Sequence, residues 1–380
     1  MFNDGNQEFE NDLMEIVSER HKKGHINRRD FLKAMGALGI LSSVPGLSKI
    51  VNASAKELVV VNWGGDASKV LKEVMADTYK AETGVDVVID GSGPSGGKIR
   101  AMVESGKVVW DICDSGAGTA LTLYKNDLIT PINYNIVDKT KVLPQVAYFF
   151  GVGNYTYSNV LAYNPKMLGG KVPKTWADVW DVKKFPGKRT FRKSVRGMLE
   201  SATMARGVPR EKVYDALSTE DGIKASIEKF RELREHIIIW NSGSQSQNLF
   251  LQEEVAMGCI WSSRAFVLQK EMPKGTFDMT FDGGVLTSGI WIVPKNNPAG
   301  ADEAMKFIRH AQKPELQARW LELMGAGPAN PAAAKFVPKE LRKLNPSDPQ
   351  NIENQVFYDV KWYAKNQVKA EEFYVDAMIN

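Results

Sequence analysis

Between residues 57 and 89 the chain changes its hydrophobic period twice, and this alternation restricts the possible folds more than any other feature. Leu58, Val59, Val60 and Val61 form a short β-branched run that favours a strand. Asn62, Trp63, Gly64, Gly65 and Asp66 then make a turn cluster. Across 68–82, Val70, Leu71, Val74, Met75 and Tyr79 recur at helical spacing, and Gly84 suits a C-cap. Residues 85–89 return to a β-branched run. Strand, glycine turn, helix and strand make a right-handed parallel crossover. The pattern continues with strands expected at 108–113, 159–164, 189–191, 237–240, 255–260 and 285–293. Helices are expected at 98–104, 119–126, 197–206, 220–235, 302–310 and 314–324. The fold class is therefore α/β.

In open α/β sheets, ligands lie beyond the carboxyl ends of strands. Residues 255–260 are apolar apart from Gly258, and then the character changes: Trp261 is a flat platform, Ser262 and Ser263 are small donors, and Arg264 is a cationic fork. Upstream, 240–247 reads as strand end, loop and helix start, with Ser244 and Gln245 at the turn. The two stretches are expected to form one wall of a ligand cleft. Asp114, Ser115 and Gly116 close the third strand, and Trp63, Gly65 and Asp66 close the first. Gly91, Gly93, Gly96 and Gly97 surround Ser95 before a helix, which suits an anion or a flexible connection equally. No Gly-Lys-Ser/Thr follows, so this is not a P-loop. Gly91, Gly93 and Gly96 spell a dinucleotide fingerprint, but Pro94 interrupts it. Trp63, Trp261 and Trp291 could enclose aliphatic carbon or a cation. Trp291 alternates with Ile290 and Ile292 and could equally be core, while Trp110, Trp176 and Trp180 read as core.

A chain of 380 residues exceeds what one core usually holds, so two domains are expected. The net charge of +4 carries no basic run in the body of the chain, which argues against nucleic acid. Cys113 and Cys259 each sit in an apolar strand pattern, as small buried residues would. A disulfide between them would need adjacent strands. His21, His25, His236 and His310 lack metal-ligand spacing and any nucleophile signature. No cofactor, metal or catalytic role is expected. Tyr155 and Tyr157 are spaced by two, whereas an iron site would call for clustered tyrosines.

Near the N-terminus, Arg28, Arg29, Phe31, Leu32 and Lys33 precede a modestly apolar run over 34–44 and then Ala53, Ser54 and Ala55. A charged region, a short apolar region and small residues are the parts of an export signal. The paired arginines resemble a twin-arginine (Tat) signal. Residues 1–55 are read as that signal, cleaved after Ala55, delivering a periplasmic protein through the Tat translocase.

Several stretches, in order along the chain, carry a family resemblance. They are Asn62 with Trp63; Trp110 through Ser115; Leu161 to Pro165; Pro173 to Asp178; Glu254 to Gly258 with Trp261; Ile292 to Lys295; and Gly327 to Pro331. Together with an export signal, they resemble the extracellular solute-binding proteins of ABC importers, near the spermidine/putrescine-binding branch. The resemblance implies a type II periplasmic-binding-protein fold: two α/β lobes of mixed sheets flanked by helices, closing on a solute between them. It places 56–159 with 285–380 in lobe one and 160–284 in lobe two. It further implies a monomer that hands a small-molecule solute to an inner-membrane ABC permease. The chain departs from the polyamine pattern where charge matters. Arg264 stands where that branch commonly carries a carboxylate, and Ser288 and Gly289 stand where a second acid is expected. Two acids lost and one cation gained disfavour a polycation. Arginine instead suits a carboxylate, and Asp66 or Asp114 could hold an ammonium, as in γ-aminobutyrate.

Overall fold

The computed structural model describes residues 57–379. The proposed signal, including Arg28, Arg29 and Ala55, lies outside the described residues. The first half of the chain runs β1 (Glu57–Val61), α1 (Gly65–Leu71), α2 (Asp77–Thr83), β2 (Asp86–Asp90), α3 (Gly96–Ser105), β3 (Ile112–Gly116), α4 (Ala117–Lys125), β4 (Ile129–Thr130) and β5 (Val152–Tyr163). Next come α5 (Trp176–Trp180), β6 (Arg189–Arg192), α6 (Met198–Ala205), α7 (Val213–Ala216), α8 (Glu220–Leu233), β7 (Ile237–Trp240), α9 (Gly243–Leu251), β8 (Met257–Trp261) and α10 (Ser262–Glu271). The rest is β9 (Asp278–Pro294), α11 (Ala301–Ala311), α12 (Pro314–Met324), β10 (Gly327–Pro328), α13 (Pro349–Ile352), β11 (Val356–Phe357) and α14 (Val360–Ile379).

One mixed sheet runs through the molecule in the order β2-β1-β3-β9-β5-β8-β6-β7. β1 pairs in parallel with β2 and β3, which is the expected crossover. The helix between β1 and β2 starts earlier than its apolar spacing suggests, because Gly64 (φ 81°) turns the chain where its Cα faces Gly91. A Cβ on Gly64 would stand 2.6 Å from the Gly91 carbonyl oxygen, so the two turns can touch only with glycine there.

β5 and β9 are the long strands. Residues 285–291 of β9 pair with 152–159 of β5, and beyond a register shift 278–280 pair with 161–163. On one side of that shift β9 also pairs with β3, and on the other β5 pairs with β8. Separate cores lie to each side. Val60, Ile112, Val152, Trp291 and Phe307 belong to the first side, and Val160, Trp240, Phe250 and Ile260 to the second.

The final helix packs against both sides, with Val360 in the first-side core beside α4. Trp362, Tyr363, Ala370, Tyr374 and Ala377 pack with Leu199 and Phe230 in the core on the second side. Their helical spacing forms a buried stripe between exposed charged residues. Buried Glu200 anchors it, accepting from the hydroxyls of Tyr363 at 2.9 Å and Tyr214 at 2.7 Å. Cys113 and Cys259 are buried and free, because β9 and β5 lie between their strands.

Candidate functional site

Antiparallel pairing of β3 with β9 extends β3 through Asp114, Ser115 and Gly116, so these residues lie within a strand rather than in the loop after it. Asp114 is thereby 3% exposed. Its Oδ2 accepts from the Tyr155 hydroxyl at 3.1 Å, and its Oδ1 has no protein partner. Burial pushes its pKa from 3.8 up to about 7, against the opposing pull of the Tyr155, Asn154 and Trp63 side chains and the Ser115 N–H. Tyr155 occupies the space above Gly289. A Cβ there would stand 2.6 Å from its ring, so the missing acid of the polyamine pattern has been replaced by a neighbouring aromatic. Trp63 stands over this corner with 56% of its surface exposed.

An aromatic row leads across the sheet from this carboxyl. Trp320 stacks on Tyr155 at 5.9 Å, and Tyr155 lies 6.3 Å from Tyr157. Tyr157 lies edge-on to Trp261 at 6.2 Å, and Trp261 is edge-on to Trp240 at 5.1 Å. Arg192, the last residue of β6, places its guanidinium 5.0 Å from the Trp261 ring centre. Arg196 follows in the next loop and donates to Gln367 Oε1 at 3.0 Å. Burial raises the Tyr157 pKa, Arg192 and Arg196 lower it, and Asp114 raises it. One hydroxyl thus senses a buried acid and two guanidiniums. Trp261 Nε1, Arg196 Nε and Ser288 Oγ are also buried without protein partners. Buried polar groups are almost always hydrogen-bonded, so Asp114 Oδ1, Trp261 Nε1 and Ser288 Oγ each stand open to a further partner.

The residues expected from sequence divide into three groups. Trp63, Asp114, Ser288 and Trp261 meet at the corner and row just described. Arg264 is exposed on the first turn of α10 and forms no ion pair with a described residue. Glu253, an acid that precedes β8, pairs with Lys166 at 3.8 Å. Arg264 does reach across the cleft electrostatically: the Lys69 ion pair at 2.9 Å lowers the Asp66 pKa most, and Arg264 adds to it. The remaining residues serve local structure. Ser95 caps α3 through Lys98 N–H at 3.3 Å. Gln245 accepts from Asn241 N–H at 2.8 Å, and Ser244 bonds Ser242. Ser115 contacts the Gly116 carbonyl, and Gly65 and Gly116 are exposed backbone at helix starts. Trp291 is a correction: it is wholly buried against Phe307, because its strand face packs under α11.

Arg192, Arg196, Asn154, Tyr155 and Tyr157 are absent from the sequence-derived set. Arg192 ends a strand just as Trp261 does, but that strand, Arg-Thr-Phe-Arg, lacks the apolar run that marks β8 in the sequence. Among the described residues no cluster of His, Cys, Asp and Glu could hold a metal ion.

The layout is a mixed sheet with cores to either side of two long strands and a polar aromatic row across them. The chain belongs to the family of bacterial extracellular solute-binding proteins, whose model matches residues 74–346. It is 28% identical over 323 residues to the gamma-aminobutyric acid-binding protein of Pseudomonas aeruginosa, covering 84% of this chain and 90% of that one. It is 23% identical over 201 residues to the spermidine/putrescine-binding periplasmic protein of Escherichia coli, covering 52% of this chain and 55% of that one. Among solved structures, the Atu4243 GABA receptor superposes with a TM-score of 0.76 at 31% identity, covering 85% of this chain and 98% of that one. The MotA protein of A. tumefaciens B6 in complex with glucopine gives 0.74 at 31%, covering 85% and 100%. The fold is therefore the mixed α/β periplasmic-binding-protein fold, with its sheet flanked by helices.

Proposed function

We propose that this chain captures a small ω-amino acid, of which γ-aminobutyrate is the model, and delivers it to the membrane permease of an ABC importer. The observation that carries this reading is one buried acid, Asp114, and one half-buried guanidinium, Arg192, acting on the same Tyr157. An ammonium beside Asp114 would meet Tyr155 and the face of Trp63, and a carboxylate would meet Arg192 over Trp261. A diamine would place its second charge against the arginines. The gamma-aminobutyric acid-binding relative supports the same reading. Arg192 takes the carboxylate role first assigned to Arg264, because it is the more buried of the two guanidiniums that adjoin the Trp261 ring. Arg264 then acts as a rim charge.

The lobes would divide near 159 and 285, where β5 and β9 change partners, with α14 packed against both. Closure by rotation about these strands would be a population shift driven by contacts to both lobes. Export through the Tat translocase and cleavage after Ala55 would deliver the chain to the periplasm.

Calorimetric titration with γ-aminobutyrate, butyrate, putrescine and succinate tests this reading. Only γ-aminobutyrate should bind well. Arg192→Ala should weaken it by roughly a hundredfold, the scale for truncating a buried charge partner. Arg264→Ala should stay within about tenfold. Binding of putrescine alone would establish the polyamine reading instead.

A further inference from the structure

We infer that the β-bulge at Asn154, held by the side-chain amides of Gln312 and Gln317, is the positioning device that aims the Tyr155 hydroxyl at the Asp114 carboxyl. In a regular strand, successive side chains point to opposite faces. Here Gly153 pairs with Ile290 and Tyr155 with Gly289, so Asn154 is an extra residue. A bulge of this kind re-aims side chains, and Tyr155, the residue that follows it, donates to Asp114 Oδ2 at 3.1 Å. Asn154 is itself buried.

The bulge has support that ordinary pairing does not supply. Gly153 carbonyl accepts from Gln312 Nε2 at 2.5 Å, and Asn154 carbonyl accepts from Gln317 Nε2 at 3.3 Å. Gln317 Nε2 also donates to Gln312 Oε1 at 2.9 Å. Asn330 closes the network: its N–H donates to Gln317 Oε1 at 2.8 Å, and its Nδ2 donates to the Gln312 carbonyl at 2.7 Å. All three side chains are buried. α12 supplies both Gln317 and Trp320, and Trp320 stacks on Tyr155. One helix therefore sets the bulge and braces the tyrosine it presents. A buried amide network is costly unless fully satisfied, and this one spends its hydrogen bonds on the two carbonyls that flank the bulge.

The ligand arm of the test rests on the ω-amino-acid reading, so the first arm uses no ligand. Asp114 is titrated by carboxyl ¹³C NMR in the empty protein. Gln317→Met, which keeps the volume and removes the amide, should raise the Asp114 midpoint by about half a pH unit or more, because the Tyr155 donor to the charged form withdraws. Ile308→Ala, a core change on the same side, should lower Tm without moving it. An unchanged midpoint in Gln317→Met, beside a lowered Tm, would overturn the inference. Should Gln317→Met not fold, Gln312→Met carries the same expectation. In the second arm the ratio of butyrate to γ-aminobutyrate dissociation constants should fall about tenfold or more in Gln317→Met. Failure of the wild type to bind γ-aminobutyrate would count against the functional reading, while the NMR arm still decides the positioning role.

Discussion

At Asp114, a carboxyl sits in a sheet interior with one hydroxyl donor and no cation paired to it. Its raised pKa is a stability statement. The folded chain holds a proton on Asp114 that the unfolded chain releases above pH 3.8, so stability falls as pH rises from about 4 towards 7. Asn carries no such penalty. Asp114→Asn should therefore match the wild type near pH 4 and exceed it by about 2–4 kcal/mol at pH 8, read as Tm in the absence of solute. The same variant should lose affinity for any ammonium-bearing solute. A residue that lowers the stability of the empty protein and gains from the ligand is the usual trade at a binding site. Asp114 was legible in the sequence as a candidate, but its burial was not. Burial follows from β9 pairing along 113–116, and β9 is more than 160 residues away.

Elements built on local period read well from sequence; those built on partners did not. The helix ending at Gly84 closes in the left-handed conformation expected of a C-cap. The Thr175–Asp178 capping box is present, with the Thr175 N–H donating to Asp178 Oδ2 at 3.1 Å. β9 was expected over 285–293 and begins at Asp278, because its first residues pair with β5 on the far side of the register shift. α14 carries charged residues between its buried ones, and only contact with α8 and α4 shows which face is apolar. Tyr374 is buried against Phe230 at 5.0 Å. Tyr374→Ala should cost about 3–5 kcal/mol in urea unfolding, in line with large aromatic deletions in cores.

Across the whole molecule, the two sides meet along α10 as well as through β5 and β9. Phe266 is buried against Gly325, and Lys270 donates to the Glu322 carbonyl at 3.3 Å. Arg264 and Asp66 attract across the cleft rim. Arg264→Glu would set two acids facing each other. Solute affinity should then fall roughly three- to tenfold at low salt and largely recover near 0.5 M NaCl, where screening shortens to a few ångströms. Affinity insensitive to salt in that variant would remove Arg264 from closure. A solute at a hundred times its dissociation constant should add about 2.7 kcal/mol to stability, seen as a rise in Tm.

The sequence by itself determined the α/β class, the parallel crossover at the start, the solute-binding family and the strand-end residues Trp63, Asp114 and Trp261. These depend on period, turn chemistry and motif order, all of which are local. Tertiary structure alone decided that Trp291 is core, that α14 packs against both sides, that Asp114 is buried, and that Arg192 lies over the Trp261 ring. Each of those depends on which distant strand becomes a neighbour, and a strand's own residues do not encode its partner's register.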